Sequence, residues 1–121
     1  MDLKDSVVAI AGAGRGIGRA LALEFARRGA RLSLCARSEA ALGAVRREAA
    51  QVLADGERSI LTMALDISNR TQSSIWIAET ARRFGRLDIL VNNASLLGAR
   101  EPIADYPEDV WDDVFRVNAT G

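Results

Sequence analysis

"VVAIAGAGRGIGRALALEFARRGA", from Val7 to Ala30, is the stretch of sequence that decides the fold. In it a short apolar run leads straight into glycines at positions 12, 14, 16 and 18, and an alanine-rich helical period follows. A helix N-terminus offers unpaired N–H groups and a partial positive charge, and glycines let a ligand approach the backbone closely. The stretch therefore predicts a strand, an anion-binding turn and a helix. The alternative is an ordinary tight turn in an α/β unit.

The glycine spacing distinguishes between two kinds of phosphate-binding turn. A P-loop ends in Lys followed by Ser or Thr, whereas Gly18 is followed here by Arg19 and Ala20. The spacing therefore disfavours a nucleoside triphosphate and favours the pyrophosphate of a dinucleotide. The candidate residues of this turn are Gly12, Gly14, Arg15, Gly16, Ile17 and Gly18.

The whole chain alternates between short apolar runs and longer helical periods, which is typical of a parallel α/β sheet. Strands are predicted at SVVAIA (6–11), RLSLCA (31–36), SILTMALDI (59–67) and LDILVNNA (87–94). Right-handed crossovers in a doubly wound order place these strands as 3-2-1-4. The fold class is therefore α/β, a partial Rossmann-like sheet. Strand four reads as buried on both faces yet lies at an edge, so we expect residues 1–121 to be the N-terminal half of a single domain.

Helices are predicted between the strands from apolar residues that recur at helical spacing. The first has Ile17, Leu21 and Phe25 and stops at Gly29; the second has Leu42, Val45, Ala49 and Val52; the third is capped by Ser68 and turns Ile77, Ala81 and Phe84 inward. A last helix, with Pro107 in its first turn, has Trp111, Val114, Phe115 and Asn118 on one stripe.

Composition excludes several function classes. The 16 basic and 16 acidic residues are dispersed, so nucleic acid is not the expected partner. No apolar run approaches the length of a membrane span and no signal peptide is recognisable, so we expect a soluble, cytoplasmic protein without a membrane partner. The chain has no histidine and one cysteine, which argues against a metal site, a disulfide and a histidine-dependent hydrolase. Cys35, Trp76 and Trp111 are interpreted as packing residues.

The residues after the second strand indicate which dinucleotide is bound. An acidic residue about 20 positions past the glycine turn would accept hydrogen bonds from a ribose 2′-hydroxyl. The sequence there reads CARS and has no acid, and Arg37 can grip a 2′-phosphate with its planar fork. Arg15 in the glycine turn can close on the same phosphate. We therefore predict NADP(H) in preference to NAD(H), with solvated surface charges as the alternative interpretation.

Four motifs in order resemble the classical short-chain dehydrogenase/reductase family. They are the glycine turn, Asp66 in LDIS, NNAS at 92–95, and Asn118 in RVNATG. The resemblance implies that Asp66 accepts from the adenine amino group while Ile67 supports the ring. It implies that Asn93, Ala94 and Ser95 form a wall against the cofactor ribose and nicotinamide, and that Asn118 is a catalytic residue holding a water in a proton relay. Helix capping by Asp66 and a buried structural role for Asn118 are the alternatives.

The family's acid catalyst is missing from the sequence. The resemblance implies hydride transfer between a nicotinamide cofactor and a carbonyl or alcohol, with protons handled by a Ser and a Tyr-x-x-x-Lys pair. This chain has one tyrosine, Tyr106, and one lysine, Lys4, and neither fits that motif. We therefore expect these residues alone to be inactive, and the complete protein to be a homo-oligomer acting on a small molecule. A non-catalytic dinucleotide-binding or interaction module and an inactive remnant are the alternatives.

Overall fold

The computed structural model describes residues 3–93, whose centre is a sheet of four parallel strands. The strands are β1 (Val7–Ala11), β2 (Arg31–Ala36), β3 (Ile60–Ala64) and β4 (Ile89–Asn92). The helices are α1 (Gly16–Arg27), α2 (Glu39–Ala50) and α3 (Arg70–Phe84), with a 3₁₀ turn at Gly56–Ser59 before β3. The strand order is β3-β2-β1-β4, which confirms the predicted partial Rossmann-like sheet.

The two faces of the sheet are covered by different helices, because alternate strand residues point to opposite faces. Val8 and Ile10 of β1 pack in one cluster with residues of α1 and α2. Ala9 and Ala11 pack in a second cluster with Trp76 of α3. Both faces of β1 are therefore buried, which explains why its sequence is apolar without alternation.

The second cluster also contains Cys35, which is fully buried in β2. Burial raises the pKa of its thiol to about 12, so the group stays protonated at neutral pH. The predicted packing roles of Cys35 and Trp76 are confirmed.

Helix α1 turns a face of small residues toward the sheet. Gly18, Ala22 and Ala26 are its buried positions. Of the predicted stripe, Leu21 and Phe25 are partly buried against the core cluster, but Ile17 is 57% exposed. A helix that leaves a strand through so tight a turn lies close to the sheet, and only small side chains fit between them. Gly29 follows the helix with a φ of 85°, as expected for a glycine stop.

Helix α2 carries its predicted stripe with one exception. Leu42, Val45 and Ala49 are buried, and the Ser38 side chain caps the helix by accepting from the Ala41 N–H at 3.1 Å. Val52 was predicted to continue the stripe, but the helix ends before it and its side chain is 52% exposed.

Helix α3 differs most from its prediction. Its cap is Asn69, which accepts from the Gln72 N–H at 3.0 Å, and not Ser68. Its buried positions are Trp76 and Thr80, whereas Ala81, predicted to face inward, is exposed. Ile77 and Phe84 are partly buried.

A buried hydroxyl pair explains how Thr80 lies in the core. Its Oγ1 donates to the Trp76 carbonyl at 2.8 Å and lies 2.6 Å from the Ser33 Oγ of β2. Because the Thr80 proton is used within the helix, Ser33 donates to Thr80. This hydrogen bond fastens α3 to the sheet and satisfies both buried hydroxyls.

The strand bounds are narrower than predicted for β3 and β4. Leu65, Asp66 and Ile67 follow β3 as a loop. Within residues 3–93, β4 pairs with β1 alone and all four of its residues are partly exposed, as expected at an edge. No helix in this part of the chain is long and apolar enough to cross a membrane.

Several predicted features lie outside the described residues. They are Ala94, Ser95, Tyr106, Pro107, Trp111, Val114, Phe115 and Asn118. The assignment of residues 1–121 to half of a single domain stays a prediction.

Candidate functional site

The register of the strands brings the candidate residues to one edge of the sheet. Ala11 of β1 lies opposite Cys35 of β2 on one side and Asn92 of β4 on the other. Ala36 of β2 lies opposite Ala64 of β3. Since all strands are parallel, the segments that follow them begin side by side. Ligands of open α/β sheets bind at this carboxyl edge, where the order reverses between β1 and β4.

The glycine turn is tied to β2 before it reaches the helix. The N–H groups of Gly12 and Ala13 donate to the Cys35 carbonyl at 2.9 and 3.1 Å. The Gly12 N–H is therefore used within the protein, and Gly12 contributes to the site through its backbone shape, with a φ of 77°.

The start of α1 is open to an anion. Arg15 is the N-cap residue, and no side chain caps the helix or places an acid in its first turn. The unpaired N–H groups of that turn and the helix dipole favour a negative ligand. Gly16 has a φ of 61°, and a Cβ built there would meet nothing within 4 Å. The open space beside these N–H groups is suited to an anionic group such as a pyrophosphate.

Two other glycines of the turn, Gly18 and Gly14, allow neighbouring parts of the protein to pack closely against the turn. A Cβ on Gly18 would lie 2.0 Å from the Gly12 carbonyl oxygen, so β1 and α1 can approach this closely only through glycine. A Cβ on Gly14 would lie 3.2 Å from the Ala41 Cβ and 3.4 Å from the Ala36 Cβ. Gly14 thus packs the turn against the end of β2 and the start of α2.

Asn93, which follows β4, forms a hydrogen bond with the same turn. Its side chain is buried, and its Nδ2 donates to the Gly12 carbonyl at 3.2 Å. Asn93 therefore satisfies a backbone carbonyl of the glycine turn, while its predicted contact with a ribose or nicotinamide stays a prediction.

An exposed ion pair lies at the carboxyl edge of the sheet, where β2 and β3 end. Arg37, which follows β2, places its Nη2 at 3.4 Å from Oδ1 of Asp66, which follows β3. The same oxygen accepts from the Ser68 Oγ at 2.7 Å and from the Ser68 N–H at 3.0 Å. These two donors, with the charge of Arg37, hold the pKa of the Asp66 carboxyl below its usual range.

Arg15 and Arg37 lie on neighbouring segments of this edge. Gly14, which precedes Arg15, packs on Ala36, which precedes Arg37. Within residues 3–93, no carboxylate pairs with Arg15, whose side chain is exposed. Ile67, predicted to support an adenine ring, is partly buried against the Trp76 cluster.

Two contributors to the site were missed from the sequence. Ser68, predicted as a helix cap, instead fixes the Asp66 carboxylate, and Gln72 accepts from the Asp66 N–H at 2.9 Å. An Asp followed two residues later by Ser is the signal of an Asx turn, in which the carboxylate accepts from the backbone locally. That signal was present in the sequence. Residues 3–93 hold no group of three or more potential metal ligands.

The turn, the uncapped helix and the basic end of the edge define a dinucleotide-binding type of α/β sheet. Comparison with known proteins extends this result: the profile of the family described as short chain dehydrogenase matches residues 6–121. The chain belongs to the short-chain dehydrogenase family, a family of oxidoreductases.

Individual relatives give the extent of the likeness. Levodione reductase of Leifsonia aquatica is 36% identical over 117 residues, covering 97% of this chain and 43% of its own length. A crystal structure of levodione reductase superposes with a TM-score of 0.68 at 37% identity, over 74% of this chain and 34% of that one. A 3-ketoacyl-(acyl-carrier-protein) reductase from Brucella melitensis, solved in complex with NADH, gives 0.63 at 30% identity over 74% and 34%. The chain thus spans less than half the length of these relatives.

Proposed function

We propose that this chain is the nucleotide-binding portion of an oxidoreductase that transfers a hydride between a nicotinamide cofactor and a carbonyl or alcohol substrate. The observation that carries the proposal is the open, uncapped start of α1 above Gly16. The backbone there would hold the pyrophosphate, and Asp66 would hold the adenine amino group through its Oδ2. Within residues 3–93, the hydrogen bonds to this carboxylate from Arg37 and Ser68 all end on Oδ1. The nicotinamide, when bound, supplies or accepts the hydride.

We propose further that NADP(H) is preferred to NAD(H). Support comes from the exposed Arg37 directly after β2, where the sequence CARS has no acidic residue of the kind that accepts hydrogen bonds from a ribose 2′-hydroxyl. Arg15 reinforces this end of the site, because the packing of Gly14 on Ala36 brings its segment beside that of Arg37. Charge-assisted hydrogen bonds of this kind are worth roughly 1.5 to 3 kcal/mol each, so about a 10- to 100-fold preference is expected.

Replacing Arg37 tests the cofactor preference. Dissociation constants for NADPH and NADH are measured by titration calorimetry on the full chain and on Arg37→Asp. We expect the wild type to bind NADPH more tightly and the variant to reverse this order. Arg58→Asp makes the same charge change on an exposed residue of the 3₁₀ turn and should leave the ratio unaltered. An unchanged ratio in Arg37→Asp would contradict the NADP(H) assignment.

These residues alone are proposed to bind dinucleotide without turnover, because no Tyr-x-x-x-Lys pair is present to protonate a developing alkoxide. Binding should raise the unfolding temperature through mass action. NADPH oxidation by the purified chain with a carbonyl substrate would contradict the expected inactivity. A cytoplasmic location and a homo-oligomeric complete protein stay predictions from the sequence and the family resemblance.

A further inference from the structure

The ion pair between Arg37 and Asp66 joins the group proposed to bind a 2′-phosphate to a carboxylate of the same site. It is the one ion pair recorded for Arg37 among residues 3–93, and it links the loops after β2 and β3. Both side chains are accessible, Arg37 at 80% and Asp66 at 44%. In this arrangement a ligand phosphate that approaches the Arg37 guanidinium also comes near the Asp66 carboxylate.

The two partners are held very differently. Asp66 is fixed by both donors of Ser68 on its Oδ1 and by the bond from its own N–H to Gln72. Within the described residues, the Arg37 side chain has one polar partner, Asp66, at the long distance of 3.4 Å. The carboxylate is thus the stationary member of the pair, and the guanidinium is the member that can move to a ligand.

We propose that Asp66 is a specificity-determining residue that limits the preference for NADP(H) over NAD(H). Its fixed negative charge competes with a 2′-phosphate for Arg37 and repels that phosphate directly. A ribose 2′-hydroxyl carries no charge and escapes both effects. The contribution of Asp66 to adenine binding is common to the two cofactors and cancels in the ratio of their affinities. This inference rests on the proposed function.

The substitution Asp66→Asn isolates the charge, because the amide oxygen can still accept from Ser68. Dissociation constants for NADPH and NADH are measured on the full chain, and the ratio of the NADH value to the NADPH value is compared. We expect the substitution to raise this ratio about 2- to 4-fold, even if both cofactors bind more weakly. An unfolded fraction would weaken both apparent affinities equally, so partial unfolding cannot produce the change.

Two further variants test whether the effect passes through Arg37. In an Arg37→Ala background, Asp66→Asn should change the ratio by less than about 2-fold, because only direct repulsion remains. Glu79→Gln removes another exposed carboxylate, one paired with Arg82 on α3, and should leave the ratio unchanged.

The outcomes separate this inference from the proposed function. Binding of both cofactors with an unaltered ratio in Asp66→Asn overturns the inference alone. So does an equal rise in Glu79→Gln or in the Arg37→Ala background. Failure of the wild-type chain to bind either cofactor overturns the proposed function, and the inference with it.

Discussion

The two edges of the sheet each carry an Arg–Asp ion pair, and the two pairs differ in almost every physical respect. At the amino edge, Arg86 makes two hydrogen bonds to Asp88, at 2.8 and 2.7 Å, and the Asp88 side chain is 7% exposed. At the carboxyl edge, Arg37 reaches Asp66 through a single contact of 3.4 Å, with both side chains accessible.

The partners of Asp88 show what the amino-edge pair does. Its Oδ2 accepts from the Val7 N–H at 2.8 Å, and its own N–H donates to the Val7 carbonyl at 3.0 Å. Asp88 therefore fastens the segment before β4 to the first residue of β1. Burial raises the pKa of Asp88, but the Arg86 guanidinium, the Val7 N–H and the charge of Arg31 more than offset this, and its pKa lies below the usual value.

The contrast shows that residue type alone does not decide how much an Arg–Asp ion pair stabilises the fold. A buried carboxylate with several donors is expensive to strip of its partners. An exposed pair with one long contact contributes little to stability and is easily exchanged for another partner. The pair at the amino edge thus helps to hold β4 to β1, while the pair at the carboxyl edge contributes little to the stability of the sheet.

The largest effect on stability is expected from Gly18→Ala. This substitution tests whether the backbone of the glycine turn is rigid. The new Cβ would lie 2.0 Å from the Gly12 carbonyl oxygen and 2.8 Å from the Asn93 Nδ2. Because backbone must move, we expect a loss of about 3 kcal/mol or more in the free energy of unfolding, measured by urea denaturation.

Gly43→Ala is the matched control for this substitution. Its Cβ would meet only the end of the Arg47 side chain, at 3.4 Å, inside helix α2. We expect it to stabilise the chain by about 0.5 to 1 kcal/mol. A Gly18→Ala protein as stable as the wild type would show that the backbone of the turn can shift at little cost. The carboxyl edge would then not be rigid.

The next effect is expected at the amino edge. Asp88→Ala leaves the Val7 N–H and the Arg86 guanidinium without their acceptor, and should cost about 2 to 3 kcal/mol of unfolding free energy. Asp88→Asn retains an acceptor and should cost less. Equal stabilities of Asp88→Ala and the wild type would remove the distinction between the two edges.

Lowering the pH should remove the contribution of the ionised Asp88 carboxylate to the free energy of unfolding. Since the pKa of Asp88 is lowered on folding, its contribution to stability is present above the unfolded value of about 3.9 and is lost as pH falls through the lower folded value. The stability gap between wild type and Asp88→Asn should be constant from about pH 5 to 7 and shrink below about pH 4. A gap that widens in acid would contradict the assignment.

The strand order and the place of the glycine turn could be predicted from the sequence, because alternation and crossover handedness leave few topologies. The same reasoning could not predict which residues of α1 are fully buried against the sheet. Large residues recur from Ile17, but a face of small residues with the same spacing begins at Gly18. Only the closeness of the helix to the sheet shows which face is buried.

Polar contacts between elements of the sheet and their neighbours were also not predicted from the sequence. Thr80 is buried because its hydroxyl meets Ser33 of β2, and neither residue enters an apolar pattern. Arg37 and Asp66 were each predicted as site residues, but their pairing depends on the register of β2 with β3. Sequence patterns predict which residues belong to a site, and the register determines which of them meet.

The smallest effect is expected from Arg37→Ala. Removing an exposed partner with one long contact should change the free energy of unfolding by no more than about 0.5 kcal/mol, while Arg86→Ala should cost about 1 to 2 kcal/mol because it uncovers a buried carboxylate. Both are measured by urea denaturation at neutral pH. A loss in Arg37→Ala as large as that in Arg86→Ala would mean that Arg37 is committed to the fold. An arginine so committed would have to give up stability to reach a phosphate, whereas one that contributes little to the fold would give up little stability when it binds one.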